Sequence, residues 1–192
     1  MSEKFTKFDF APIFYAIKNY GGEARMVGGC VRDWILKKEI HDVDFATNLE
    51  PHFIIEALRN EGIKSIPTGL KHGTITALLD GKTFEITTLR KDISCDGRHA
   101  KVSFTNNWEA DASRRDLTFN ALYCDSDSNL YDYFGGIQDL QNKNINFIGN
   151  PTDRIKEDYL RILRVFRFHA SIFPDSSLSV AILEACNQNA NM

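Results

Sequence analysis

The chain has 192 residues, of which 43% are hydrophobic and 26% are charged, and its formal net charge at pH 7 is −3. This length is enough for one sizeable hydrophobic core, or for one domain and the start of a second. The slightly acidic balance excludes a general polyanion binder, so any contact with nucleic acid must come from local basic clusters.

The cysteines and the N-terminus bear on the cellular compartment. Cys30, Cys95, Cys124 and Cys186 are scattered and include no C-x-x-C pair, which argues against a zinc knuckle or redox motif and favours reduced thiols. The first ten residues, MSEKFTKFDF, contain neither an apolar signal region nor an Arg-rich presequence. We therefore expect a cytoplasmic protein without a secretion signal or a membrane span.

Hydrophobic spacing predicts an α/β domain over residues 1–150. Apolar positions three or four apart indicate helices, and short β-branched runs indicate strands. Asp80-Gly81 suits a tight hairpin turn, whereas the polar residues 91–107 indicate an irregular, mobile loop. In chain order the patterns first predict a helix (8–20) ended by two glycines, and then a short strand, a glycine turn and a helix (24–38, the helix from about 31). A strand (41–47) follows, then a helix that opens at residue 48 or at residues 50–51, and a hairpin (73–90). The last elements predicted before residue 150 are a helical turn leading to a strand (112–125), and a Gly-Gly turn, a short helical piece and an apolar strand (130–149).

From Asn150 onward the pattern becomes helical throughout. Asn150 can cap a helix, and Pro151 suits its first position. Apolar residues recur at helical spacing as far as Ala170, and a second helix is predicted over residues 177–187. Residues 151–192 therefore begin an all-helical domain.

Asp42 and Asp44 lie two residues apart in a predicted strand, so their side chains point to the same face. Two such carboxylates could share Mg²⁺ ions, because hard oxygen ligands suit this ion and two-metal sites need them close together. A bare D-x-D pair is more often a solvated strand end. Glu85 would be a third ligand if its strand lay beside the aspartate strand; an exposed strand glutamate fits the pattern equally well.

The segment VGGCVRD, residues 27–33, indicates a site for an anion. Gly28 and Gly29 allow the backbone to approach a ligand, and the following helix presents N–H groups to it. Arg32 could add a contact to phosphate. The alternative is an ordinary glycine turn with a surface arginine. Because the segment lies shortly before the two aspartates, a phosphate site and a metal site in consecutive elements suggest a nucleoside triphosphate as the ligand.

Two later segments carry further polar candidates. In SRRDLTFNA, Arg115 could meet phosphate or sugar, with Asp116 and Asn120 holding backbone or ribose; a solvated face is the alternative. In EDYLRILRVFRF, Asp158 and Arg161 could together hydrogen-bond a nucleobase, or form a simple salt bridge one turn apart. Arg164 and Arg167 continue this series, but on one regular helix Arg167 ends roughly opposite Asp158.

The motifs GGCVRD, DVDF, FEITTLRKD, DGRHAKVSF, SRRDLTFNA and EDYLRILRVFRF follow one another between residues 26 and 170. In this order and spacing the chain resembles the bacterial tRNA nucleotidyltransferase/poly(A) polymerase family, the class II CCA-adding enzymes and their poly(A) relatives. The resemblance implies an α+β nucleotidyltransferase head with a mixed sheet over residues 1–150, and the start of a helical neck over residues 151–192.

The resemblance also implies roles for individual residues. Asp42 and Asp44 match the catalytic Mg²⁺ ligands, while Asp158 and Arg161 match the pair that reads the base of CTP or ATP. A kinked neck helix would bring the two later arginines to the same ligand. The remaining positions that match nucleotide contacts are Gly29, Arg32, Arg115, Asp116, Asn120, Arg164 and Arg167.

The implied activity is Mg²⁺-dependent, template-independent addition of nucleotides from CTP and ATP to the 3′ end of tRNA. A poly(A) polymerase and a CC- or A-adding specialist share the same motifs. Members of the family continue well beyond the neck into domains that hold tRNA. The chain could therefore also be an inactive nucleotide-binding fragment that needs a separate C-terminal partner chain.

Overall fold

The computed structural model describes residues 9–96 and 99–190. Nine strands form in this part of the chain, and seven of them make one sheet. The strands are β1 (Ala24–Val27), β2 (Asp44–Thr47), β3 (Lys64–Gly69), β4 (Thr74–Leu79), β5 (Lys82–Thr88), β6 (Arg90–Asp96), β7 (His99–Phe104), β8 (Leu122–Cys124) and β9 (Leu130–Asp132).

The seven-stranded sheet has the order β3-β4-β5-β2-β1-β8-β9. Within it, β2 and β5 are parallel and the other neighbours are antiparallel. Helices flank this mixed sheet, and the predicted α+β class is confirmed. The helices are α1 (Ala11–Asn19), α2 (Gly29–Ile35), α3 (Pro51–Asn60), α4 (Trp108–Ser113), α5 (Gly136–Asn142), α6 (Pro151–Glu157), α7 (Leu160–Ile172) and α8 (Val180–Asn189).

Local sequence signals explain several of these elements. Asp80 and Gly81 both have positive φ, +51° and +73°, and join β4 to β5 as the tight hairpin turn that their sequence predicts. The side chain of Asn150 accepts hydrogen bonds from the N–H groups of Thr152 and Asp153. This cap and Pro151 start α6 at the predicted position.

Three predicted elements are wrong. Residues 91–107 are not irregular in their described part, because β6 and β7 pair as an antiparallel hairpin through their backbones; residues 97–98 lie outside the described part. The apolar strand predicted near residue 147 is reduced to an isolated bridge between Leu117 and Phe147. The single helix predicted after Pro151 is interrupted at Asp158, whose extended backbone (φ −157°, ψ 107°) separates α6 from α7.

One face of the sheet and the C-terminal helices share a hydrophobic core. The buried cluster includes Phe10 before α1, Phe45 on β2, Val165 on α7 and Ile182 on α8. The division of the chain into two domains at residue 150 stays a prediction. Among the described residues, no helix is both long enough and apolar enough to cross a membrane.

Candidate active-site cleft

A cleft of about 750 Å³ lies between the neighbouring strands β2 and β5, the start of α2 and the helix α7. Within the described part of the chain, its lining takes in every predicted site residue except Asp42. These are Gly28, Gly29, Arg32, Asp44, Glu85, Arg115, Asp116, Asn120, Asp158, Arg161, Arg164 and Arg167.

Two carboxylates lie side by side on the floor of the cleft. Asp44 and Glu85 are partners in the parallel register of β2 and β5. The Asp44 side chain is exposed to the cleft, but the surrounding walls displace water from it. This desolvation, the negative charge of Glu85 and a smaller repulsion from Asp42 raise the pKa of Asp44 to about 6, against an opposing effect of Arg115.

This carboxylate pair is chemically suited to a divalent cation. Oxygen ligands with uncompensated negative charge are those that Mg²⁺ prefers, and a cation would relieve their repulsion. The described residues contain no group of three His, Cys, Asp or Glu side chains arranged to hold a metal. Mg²⁺ commonly binds through one or two carboxylates, with water and substrate phosphates completing its shell, so the pair fits this ion.

Asp42 lies outside the strand in which it was predicted. β1 ends at Val27, the antiparallel partner of Asp44, so β2 begins only at Asp44. Burial nevertheless alternates as expected, since Val43 and Phe45 are buried while Asp42 and Asp44 are exposed. Asp42 is thus on the predicted side of the chain, and its role as a metal ligand stays a prediction.

The glycine turn shapes the opposite wall of the cleft. Gly28 has φ +77° and ψ −126°, a conformation that L side chains rarely adopt. A Cβ atom on Gly28 would lie 3.6 Å from the carbonyl oxygen of Asn120 and 3.8 Å from Nη1 of Arg115. The helix α2 begins directly after it at Gly29, two residues earlier than predicted.

A chain of hydrogen bonds connects α2 with α7 along this wall. Arg32 donates Nε and Nη2 to the two carboxylate oxygens of Asp33, at 2.8 and 2.9 Å, and Nη1 to Oδ1 of Asn120, at 2.8 Å. Asn120 donates Nδ2 to Asp116 at 3.2 Å, and Asp116 also accepts from Nε of Arg164. Arg164 and the Asn120 side chain hold the pKa of the buried Asp116 below its usual range, against the effect of burial.

Asp158 and Arg161 line the cleft, but they do not form the simple salt bridge considered above. Asp158 lies at the break between α6 and α7, where its Oδ1 accepts the N–H of Leu160 at 3.0 Å. Arg161 donates instead to Glu157, at 2.6 Å, and to the carbonyl of Arg154, at 2.8 Å. The break is the kink that allows Asp158 and the arginines of α7 to face one cleft.

Several residues in and beneath the cleft were not predicted as site residues, among them Arg90, Phe168 and Asp111. Phe168 lines it, and the guanidinium carbons of Arg32, Arg164 and Arg167 lie 5.2, 5.4 and 4.9 Å from its ring centre. Asp111 lies beneath the wall and binds both arginines of the RRD segment. Its spacing of three and four residues from these arginines on a helix was the available signal.

The cleft carries more positive than negative side chains. Such a surplus favours an anionic ligand, and the planar guanidinium group suits phosphate oxygens. Seven arginines line it, namely Arg32, Arg90, Arg114, Arg115, Arg161, Arg164 and Arg167, together with the four carboxylates of Asp44, Glu85, Asp116 and Asp158.

The fold and the cleft together define a nucleotidyltransferase head. Residues 24–146 match the model of the Poly A polymerase head domain, and the chain belongs to this family. Members of this family generally use divalent metal ions.

Curated relatives are similar over most of this chain. The human CCA tRNA nucleotidyltransferase 1, mitochondrial, is 51% identical over 151 residues, which are 78% of this chain and 35% of that protein. The zebrafish (Danio rerio) protein of the same name is 47% identical over 170 residues, 88% and 39% of the two chains. The CCA-adding enzyme of Streptococcus gordonii is 41% identical over 163 residues, 84% and 40%.

Solved structures agree with these relatives. The CCA-adding enzyme of Bacillus stearothermophilus in complex with CTP has a TM-score of 0.86 and 33% identity, covering 100% of this chain and 45% of that one. A tRNA nucleotidyltransferase complexed with a primer tRNA and an incoming ATP analog has a TM-score of 0.75 and 29% identity, covering 93% and 50%. The chain thus spans less than half the length of the curated relatives it matches here, and its compartment stays a prediction, because mitochondrial and bacterial enzymes are both among them.

Proposed function

We propose that this chain carries the catalytic part of a Mg²⁺-dependent nucleotidyltransferase that adds nucleotides from CTP and ATP to the 3′ end of tRNA. The observation that carries the proposal is the cleft itself. It combines the Asp44–Glu85 carboxylate pair, a glycine turn and seven arginines. The names of the relatives, and the CTP, ATP analog and tRNA bound in similar structures, support the choice of substrates.

In this proposal Asp44 and Glu85, with Asp42 beside them, would hold Mg²⁺ in a two-metal site. When bound, the metal ions supply charge neutralisation and lower the pKa of the attacking hydroxyl. The 3′ oxygen of tRNA attacks the α-phosphorus in line, and the bond to the leaving pyrophosphate breaks. Arg32 and Arg115 stabilise the negative charge on the phosphate oxygens from the side of the glycine turn.

The nucleobase would bind at the opposite end of the cleft, near the helix break. Asp158 supplies carboxylate oxygen and Arg161 supplies N–H donors, which complement the edge of cytosine or adenine. Asp116 and Asn120 lie between this end and the glycine turn, where they and Arg164 would contact the ribose or the phosphates. Arg167, which is exposed at the rim, would meet the nucleotide or the tRNA backbone.

The decisive assay measures incorporation of labelled CTP and ATP, separately and together, into tRNA that lacks its 3′ CCA. We expect both nucleotides to be added, and Asp44→Ala to lower the rate by about a hundredfold or more, since metal-assisted stabilisation is worth several kcal/mol. Asp127→Asn, the loss of an exposed loop carboxylate, is the matched control. Incorporation by Asp44→Ala at the wild-type rate would contradict the scheme.

The same assay separates the related activities. Long tracts of added AMP would identify a poly(A) polymerase, an activity that the family model's description favours. Addition of CMP alone or AMP alone would identify a specialist.

A nucleotide-binding module that needs a partner chain is the second candidate. The chain spans 35–40% of the length of the relatives described above. Tight CTP binding without turnover would support this candidate, particularly if a chain with the remaining length of these relatives restored incorporation. Absence of both binding and turnover would reject both candidates.

A further inference from the structure

Asp111 is a buried carboxylate that the proposed reaction does not itself use. Its side chain is 1% exposed and lies within α4, beneath the cleft wall. Both of its oxygens are saturated by donors from three segments of the chain. Oδ1 accepts from Arg114 Nη2 (2.8 Å), Arg114 Nε (3.0 Å) and the N–H of Arg90 (3.1 Å), and Oδ2 accepts from the Tyr123 hydroxyl (2.8 Å), Arg115 Nη2 (3.0 Å) and Arg115 Nε (3.3 Å).

These bonds determine which edge of Arg115 faces the cleft. Asp111 takes Nε and Nη2, and the Tyr123 hydroxyl also accepts from Nε at 3.2 Å. The third nitrogen, Nη1, lies at the glycine turn, 3.8 Å from the Cβ position of Gly28. A two-point contact to a carboxylate prevents rotation of the planar guanidinium group, so Nη1 is held toward the place where phosphate would bind.

The protonation states of the cluster support this arrangement. The charges of Arg115 and Arg114 hold the pKa of Asp111 at about 2, against the opposing effect of burial, which is the largest single influence. Burial raises the pKa of Tyr123 above its usual value, so its hydroxyl remains a donor to Asp111. Asp111 is therefore ionised and Tyr123 neutral throughout the physiological pH range.

Stability alone is a weak explanation for this cluster. Burying a carboxylate with two guanidinium groups costs desolvation energy that the attraction often only just repays. Both arginines whose guanidinium groups bind Asp111 also line the cleft, and do not lie on an unrelated part of the surface. A role in the site accounts for both the cost and the location.

We propose that Asp111 is a positioning residue that, with the Tyr123 hydroxyl, orients Arg115 and Arg114 to bind the triphosphate of the incoming nucleotide. The inference rests on the proposed function and deepens it, since it assigns a residue that acts through the arginines rather than by touching the nucleotide. The Tyr123 ring is itself fixed edge-to-face against Trp108, at 5.5 Å between ring centres.

The test compares Asp111→Asn and Tyr123→Phe with a matched control, Glu109→Gln, which removes an exposed negative charge from the same helix. Binding of CTP and of inorganic tripolyphosphate is measured by calorimetry at a temperature where circular dichroism shows each variant folded. Since a charge-assisted hydrogen bond is worth roughly a tenfold change in affinity or more, we expect Asp111→Asn to weaken both ligands at least about tenfold. Tyr123→Phe should weaken them about threefold, and Glu109→Gln should stay within about twofold.

A second readout reports orientation independently of nucleotide binding. In NMR spectra, the Nε–H proton of Arg115 should exchange slowly with water in the wild type and in Glu109→Gln. It should exchange faster in Asp111→Asn and Tyr123→Phe, which a loss of stability confined to other parts of the fold would not produce. In turnover assays, KM for CTP should rise more than kcat falls.

The outcomes separate this inference from the proposed function. If the wild type binds CTP and tripolyphosphate and the two variants bind them equally well, positioning by Asp111 is refuted while the proposed function stands. If Asp111→Asn does not fold, Tyr123→Phe decides, because it keeps the ring and its packing. A wild type that binds neither ligand overturns the proposed function and this inference with it.

Discussion

Replacement of Asp44 by asparagine is expected to stabilise the metal-free protein at neutral pH while abolishing nucleotide transfer. The pKa of Asp44 is raised from 3.8 to about 6, so its ionised form costs folding free energy at any pH above about 6. The cost falls away as the pH drops from 6 toward 4. A shift of this size would be worth about 3 kcal/mol for a buried group. Because the side chain is exposed to the cleft, solvent screening reduces the expected gain to about 1 kcal/mol.

The assay is urea unfolding of the wild type and Asp44→Asn at pH 7.5 and pH 5, first in EDTA and then with MgCl₂. In EDTA the variant should have the higher free energy of unfolding at pH 7.5, and the difference should shrink at pH 5. Mg²⁺ should stabilise the wild type by about 1.4 kcal/mol at roughly ten times its dissociation constant, and should leave the variant nearly unchanged. Asp127→Asn, on an exposed loop, controls for the loss of one negative charge.

Two results would refute this reasoning at different points. A variant less stable than the wild type in EDTA at pH 7.5 would show that desolvation in the cleft and the charges of Glu85 and Asp42 do not destabilise the ionised Asp44 carboxylate. Equal stabilisation of both proteins by Mg²⁺ would show that the ion does not bind at the Asp44–Glu85 pair.

Two glycine substitutions, each paired with a second glycine substitution as its control, test the backbone around the cleft. Gly28→Ala forces a side chain into φ +77°, ψ −126°, so it should cost about 1–3 kcal/mol of stability and weaken CTP binding. The Cβ of Gly29→Ala would meet only Nη2 of Arg32, at 3.6 Å, so this variant should keep the wild-type free energy of unfolding, measured in urea. Equal losses of stability in Gly28→Ala and Gly29→Ala would contradict the backbone strain assigned to Gly28. Gly136→Ala places a Cβ 2.4 Å from the carbonyl oxygen of Thr118, at the turn that carries Asn120, and should cost about 2–3 kcal/mol. Gly62→Ala, strained at φ +72° but with open space around it, is the control at about 1 kcal/mol, and a loss equal to that of Gly136→Ala would argue against the clash.

Sequence by itself determined the elements whose causes are local. The Asp80-Gly81 turn, the Asn150 cap with Pro151 and the glycine turn before α2 follow from backbone preferences of a few adjacent residues, and each occurs as predicted or within two residues. The motif pattern also pointed to the correct family. The β6–β7 hairpin was missed because its pairing depends on backbone hydrogen bonds between polar segments, for which hydrophobic spacing gives no signal.

Only the tertiary structure decided which of these groups meet. Glu85 lies beside Asp44 because two strands separated by a helix and a hairpin pair in parallel with one particular register. Asp116 accepts a hydrogen bond from Arg164, 48 residues away in the chain, on a helix that begins only after the break at Asp158. Such contacts join residues tens of positions apart, and they are selected by burial of the shared core over the whole sheet, which no local preference encodes.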